Sequence, residues 1–151
     1  MKKLLALALV ALMAGSAAAL PGMGIFFAPD SWTDADTNFD TAGAAFNAYL
    51  TLFSSPFETI GGYECGVTIS DPAVFILTVT GTNGWTNFGD NTNHLAGFGA
   101  NEQPPLPFPA GGAAVLCTFN MLQAVAAEAT ISLGPADPAS IPGSPVIANG
   151  N

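Results

Sequence analysis

The chain has 151 residues, a formal net charge of −9 and a mean hydropathy of +0.44. Its only cations are Lys2 and Lys3; every other formal charge is carboxylate, seven Asp and four Glu, beside a single histidine, His94. That composition excludes nucleic-acid binding, which needs Lys and Arg to displace counterions from phosphates. It also excludes Arg or Lys clamps on anionic substrates and Schiff-base chemistry on a lysine amine.

Residues 1–19 read as a secretory signal peptide, with Lys2 and Lys3 as the charged start, Leu4 to Ala14 as the apolar stretch and Ala17-Ala18-Ala19 at the cleavage positions. The apolar run is too short for a bilayer, which takes about 20 residues. The competing reading, a buried N-terminal helix, requires a helix apolar all round that breaks at Pro21-Gly22. Export is preferred, to the periplasm, the cell surface or the medium. No cysteine follows the apolar stretch and no second hydrophobic segment appears, so neither a lipid anchor nor a membrane span is expected. Residues 20–151 then form a single domain.

Short apolar runs separated by Gly, Pro, Asn and Asp follow, with little helical periodicity. Ile25 to Ala28 is a first strand, ended by Pro29-Asp30, and residues 30–43 are a polar loop. Ala45 to Phe53 alternates, with Phe46, Ala48, Leu50 and Leu52 on one face. Ile60 to Ile69 places Tyr63, Cys65, Val67 and Ile69 on one face. After the Asp71-Pro72 turn, the β-branched run Val74 to Thr80 suits a more fully buried strand. Residues 81–94 form a second long loop, carrying Trp85, Phe88 and His94, and Leu95 to Gly99 is a weak strand. Pro104 to Pro109 is an extended connector. In Ala113 to Leu122, Val115, Cys117, Phe119 and Met121 share a face. Leu122–Ala129 has the look of a helical turn, Thr130 to Leu133 of a strand, and Val146 to Ala148 of a last strand. Seven to nine strands at this spacing predict an all-β antiparallel sandwich.

The segment Gly61 to Leu77 resembles the middle of cohesin-like modules, where a strand runs into an Asp-Pro turn and then an aliphatic strand. Gly111 to Phe119 resembles the late strand of that family, and Ala129 to Leu133 its closing one. The chain is also similar to short signal-peptided bacterial proteins of uncharacterised function, through Asn47-Ala48-Tyr49-Leu50 and the closing Leu133-Gly134-Pro135 and Ile141-Pro142-Gly143. The resemblance implies a cohesin-like or Ig-like sandwich. Cohesins bind dockerins and related sandwiches bind polysaccharide, but no motif of their binding surfaces falls on these positions, and fold does not carry function.

Several residues are candidates for chemistry. Cys65 and Cys117 sit on apolar strand faces. In an oxidising compartment they pair as a disulfide, which the cohesin-like arrangement favours by bringing their strands together; otherwise they are buried reduced thiols. Catalysis by either is not expected, since a buried thiol is inert. Asp34, Asp36, Asn38 and Asp40 put oxygens at alternate positions as a calcium loop does. Phe39 and Ala45 stand where that loop needs Gly and Glu. The first reading is a solvated loop with Asx turns, the second a weak calcium site.

Trp85, Asn87, Phe88 and Asp90 combine aromatics with amides and a carboxylate, as sugar-stacking surfaces do. The competing reading, and the preferred one, folds Trp85 and Phe88 back over the open end of the sandwich. Asp90 and His94 alone make no metal site, and His94 is expected to be exposed or capping. Glu64 and Glu128 fall on predicted strands, facing outward. Glycosidase chemistry needs two acids held across a cleft, and eleven acids supply some pair by chance, so an enzyme is the least favoured class. The leading expectation is an exported, non-enzymatic interaction, adhesion or structural module that associates with protein or with itself. The alternative is a carbohydrate-binding module using the Trp85/Phe88 loop.

Overall fold

The computed structural model describes residues 22–30, 32–37, 42–82, 84–99, 104–109 and 112–150. The expected signal peptide lies outside these. Among the described residues there is no helix, and ten strands follow one another: β1 (Gly22–Phe26), β2 (Ala44–Phe53), β3 (Thr59–Ile69), β4 (Val74–Gly81), β5 (Thr86–Asn87), β6 (Asn93–Gly97), β7 (Leu106–Pro107), β8 (Ala113–Gln123), β9 (Ile131–Gly134) and β10 (Val146–Asn149). Every pairing is antiparallel. The all-β sandwich is the observed fold, with two-residue strands β5 and β7 added to those the pattern predicts.

One sheet has the order β1-β2-β8-β4 and the other β10-β3-β6-β5. The long strand β3 organises the second sheet. Its start faces β7 and its middle faces β6 along one side. Along the other side lie β10, against Ile60 to Glu64, and β9, against Gly66 to Ile69. The turn after β3 carries the chain from one sheet to the other. The Asp71 carboxylate accepts the Ala73 N–H at 2.7 Å and the Asp71 carbonyl accepts the Val74 N–H at 3.1 Å, an Asx turn that Pro72 favours.

Alternating residues of β2, β3 and β8 meet between the sheets. Leu50, Leu52, Ile60, Tyr63, Leu116, Phe119 and Met121 are all fully buried, and each such side chain contributes about 1.5–3 kcal/mol over its exposed state. Of the inward sets expected for β2 and β3, Ala48, Leu50, Leu52, Tyr63, Cys65 and Val67 are buried and Phe46 and Ile69 half-buried, while Thr51, expected to face outward, is buried too. In β8 a bulge changes the set: Leu50 pairs with Cys117 but Thr51 pairs with Val115, so Leu116 is the extra residue. Leu116 and Cys117 therefore both point inward, and Val115, expected in the core, is only half-buried. Thr82 serves the bulge, its hydroxyl donating to the Val115 carbonyl at 2.9 Å and its N–H to that of Leu116 at 3.3 Å.

Three further expectations are corrected. The run Val74 to Thr80 is not fully buried. As β4 it closes one side of its sheet; alternation with buried Val74 leaves Phe75 40% exposed, and Leu77, the extra residue of a bulge, is 43% exposed. The stretch Leu122–Ala129 forms no helical turn; β8 runs on to Gln123, whose amide holds the next loop by donating to the Ala127 carbonyl at 3.2 Å. Glu128 lies in that loop, exposed, and not on a strand. The connector 104–109 does run extended, and it buries Leu106 and Phe108 through β7.

Candidate functional site

Residues 81–94, expected as a loop, contain β5 and the start of β6, and together these strands make a hairpin on the outer edge of the second sheet. The hairpin exists because Asn87 and Asp90 use their side chains on the backbone. The Asn87 carbonyl oxygen accepts the N–H groups of Gly89 at 3.1 Å and Leu95 at 3.0 Å, while its amide donates to the Asp90 carbonyl at 2.8 Å. One Asp90 carboxylate oxygen accepts from the Thr92 N–H, the Thr92 hydroxyl and the Asn93 N–H at 2.7–2.8 Å. These donors, led by the Thr92 N–H, hold the Asp90 carboxyl below its ordinary pKa. Asn93 then ties the tip to the C-terminal segment by exchanging hydrogen bonds with the backbone of Asp137.

Trp85 and Phe88, expected to act together, part company. Trp85 packs against the core and lies directly over Gly81, where any side chain would collide with its ring. Its indole N–H donates to the Tyr63 hydroxyl at 3.0 Å. Phe88 is 79% exposed at the hairpin tip and does not fold back over the sandwich end.

His94, expected to be exposed or capping, is wholly buried. It stands opposite Cys65 in the β3–β6 pairing, and strand alternation turns both inward. Its Nε2 lies 3.2 Å from the Asn91 carbonyl, which only accepts, so that nitrogen carries the proton. The Nδ1 lone pair then accepts the Tyr63 hydroxyl proton at 3.2 Å. The chain of donation runs Trp85, Tyr63, His94, Asn91. Phe119 meets the imidazole edge-on at 5.4 Å. Burial lowers the His94 pKa, against smaller opposing effects of Asn91 and Asp90.

Cys65 and Cys117 approach this group from facing sheets, on β3 and β8. In place of the expected disulfide, both are free and buried thiols. Burial pushes Cys65 up to about 12, with Cys117 adding to the shift. Burial pushes Cys117 up to about 12 as well, against a smaller pull from the neighbouring Tyr63 hydroxyl. Burial also raises Tyr63 far above the usual phenol range. Thiols so placed are protonated at neutral pH and lack the exposure and positive surroundings of a reactive cysteine.

Of the calcium candidates, Asn38 and Asp40 lie outside the described residues. Asp34 and Asp36 are exposed, and the Asp34 carbonyl accepts the Phe27 N–H at 2.8 Å. Among the described residues no three His, Cys, Asp or Glu side chains are grouped to hold a metal ion.

Two concave surfaces stand among the described residues. A cleft of about 660 Å³ opens at one end of the sandwich, lined by Ile25, Phe27, Phe46, Gln123, Glu128 and Ile131 among others. A groove of about 420 Å³ lies on the outer face of the second sheet, lined by Glu64, Phe88, Leu95, Gly97, Ser140 and Val146 among others. Its geometry follows from register. Val146 pairs with Glu64, Glu64 with Leu95, and the Phe88 N–H donates to the Leu95 carbonyl, so one row crosses β10, β3 and β6 and ends on Phe88, just past β5. The next row is Ala148, Gly62, Gly97 and Thr86, and its glycines leave the hollow. Glu64 is pinned on the wall by Ser140, whose N–H donates to one carboxylate oxygen at 3.0 Å and whose hydroxyl donates to the other at 2.6 Å.

Leu95, Ser140 and Val146 were not candidates from sequence, and Glu64 counted only as a surface charge. The available signal was the glycine pair Gly61-Gly62 beside it. A Cβ on Gly62 would stand 2.7 Å from the Ala96 carbonyl oxygen, closer than any side chain tolerates.

Comparison with protein families, with characterised proteins and with solved structures finds no match. No helix among the described residues is long and apolar enough to cross a membrane.

Proposed function

We infer that this chain is an exported, non-enzymatic interaction module, associating with protein, its own copies included, through the open side of β4. The observation that carries the reading is the position of β4 at the end of the order β1-β2-β8-β4, with Phe75 and Leu77 exposed along it. Sheet edges are ordinarily guarded against strand addition by lysine, proline or inward charge. β4 reads Val-Phe-Ile-Leu-Thr-Val-Thr-Gly and has none of these. The cohesin-like resemblance and the signal-peptide reading fit a module that meets its partner outside the cytoplasm. Light scattering across a concentration series tests the reading. Association that rises with concentration and is lost in Leu77→Lys supports it; a strict monomer that captures nothing from its own cell envelope overturns it.

The carbohydrate reading keeps one observation in its favour, the exposed ring of Phe88. Asn87 and Asp90, which would supply hydroxyl contacts, are engaged in holding the hairpin. A screen of soluble glycans, repeated with Phe88→Ala, decides it.

A further inference from the structure

We propose that the groove between Phe88 and Glu64 is a docking site for a lysine or arginine side chain of an extended, basic peptide segment. This names the chemistry of a partner within the protein-binding reading and rests on that reading for the ligand's class. It uses the sheet opposite β4, so the two sites are separable.

The argument starts from what the groove offers. Its floor is apolar, from Leu95, Val146 and the bare backbone at Gly97. Long cationic side chains lay their methylenes on such a surface while the charged head stays wet. One end holds the exposed Phe88 ring, whose face attracts a cation within about 6 Å.

The wall holds Glu64, already fixed by two donors from Ser140. An ionised carboxylate has about four acceptor sites, so two remain for an incoming ammonium or guanidinium, on a group that loses little further freedom when it binds. Glu64 on β3 pairs with Leu95 on β6, and Phe88, just past β5, bonds to Leu95 in turn, so the carboxylate and the ring stand at the two ends of an apolar span.

Charge complementarity selects the occupant. The chain carries eleven carboxylates and no Lys or Arg beyond Lys3, so an anionic ligand meets no counter-charge here and a cationic one meets an attractive field. A sugar would need several donors and acceptors around its ring, whereas of the polar residues lining the groove the Tyr63 hydroxyl is engaged in the core by His94 and Trp85, and Glu64 and Ser140 are bonded to each other.

The test is amide chemical-shift mapping of the isotope-labelled protein with an N-acetylated, C-amidated Gly-Lys-Gly-Lys-Gly peptide, run beside its Nε-acetylated form and a neutral cello-oligosaccharide. The expected result is shifts centred on Glu64, Phe88, Leu95 and Ser140 with the charged peptide, and none with the acetylated one. Phe88→Ala and Glu64→Gln each weaken binding about threefold or more, and Asp34→Asn, a remote exposed acid, leaves it unchanged. Equal binding of the acetylated peptide, weakening by Asp34→Asn to the same degree, shifts with the oligosaccharide alone, or no shifts at these residues overturns the proposal. Phe88 is exposed, so its truncation leaves the fold intact and a loss there reads the groove itself. A monomer in light scattering with these shifts present would remove self-association through β4 and leave the groove standing.

Discussion

The Tyr63 hydroxyl donates to Nδ1 of His94 across 3.2 Å, with the two rings stacked at 5.9 Å between centroids. This bond joins β3 to β6 inside the core and, with the indole of Trp85 donating to the same hydroxyl, locks the root of the hairpin that carries Phe88. The groove is therefore positioned from within the core, although its walls are on the surface.

Tyr63→Phe removes the hydroxyl and leaves the Trp85 N–H and the His94 Nδ1 lone pair without their partner. The expected loss is about 1–3 kcal/mol, the range for orphaning a buried polar group. Urea unfolding at neutral pH measures it, and a variant as stable as the parent would contradict the network.

Acid acts on the same residue. His94 has its pKa lowered in the folded chain by burial, so below the free value of 6.5 the unfolded chain binds a proton that the folded chain refuses. The unfolded state then holds more protons, and stability falls as pH drops from about 6.5 toward the lower folded value. Asp90, held low by Thr92 and Asn93, adds loss only as pH falls through and below the ordinary carboxylate value of 3.8. His94 is the only histidine, so His94→Gln flattens stability between pH 7 and 5 while leaving the carboxylate phase. Persistence of the slope in that variant, in unfolding curves taken across this window, would assign it elsewhere.

Cys65 and Cys117, both buried with pKa pushed up to about 12, resist alkylation in the folded protein at neutral pH. Iodoacetamide labels neither until denaturant is added, and then labels both. Mass spectrometry reads the count; absence of label after denaturation without reductant would mean that the two are bonded.

Thr82→Val deletes the hydroxyl donor to the β8 bulge. The Val115 carbonyl then lacks that partner, with an expected loss of about 1–3 kcal/mol. Gly81→Ala acts more severely, because the added methyl occupies the space of the Trp85 ring. Its signature is a change in tryptophan fluorescence at unchanged strand content; fluorescence identical to the parent's would place Trp85 elsewhere.

Legibility in the sequence varied by element for physical reasons. In β2 and β3 a period of two set the buried face, and Leu50, Tyr63 and Cys65 fell where alternation put them. Alternation failed at the start of β8, where the bulge at Leu116 turns Val115 out of the core; the β-branched run Val74 to Thr80 suits a fully buried strand but stands at the end of its sheet, with a bulge at Leu77. His94 was misread because it follows a run of Gly, Asn and Asp that reads as a loop. Those residues close a hairpin through their side chains, and the strand resumes at Asn93. Of the groove, Phe88 was visible as an aromatic in a polar segment. Leu95, Ser140 and Val146 were not, since their nearness to Glu64 comes from pairings of β3 with partners as far away as residues 140 and 146.

The amino-acid sequence by itself determined the fold class and the acidic balance of the chain. Alternating apolar residues can be buried only as strands, and a chain without Lys or Arg beyond Lys3 has no cation to offer an anion. Tertiary structure decided which strands became edges, that His94 and both cysteines share one interior, and that Phe88 and Glu64 flank a common groove. Those outcomes depend on register between strands distant in sequence, and a local period cannot specify register once bulges and side-chain-capped turns enter the path.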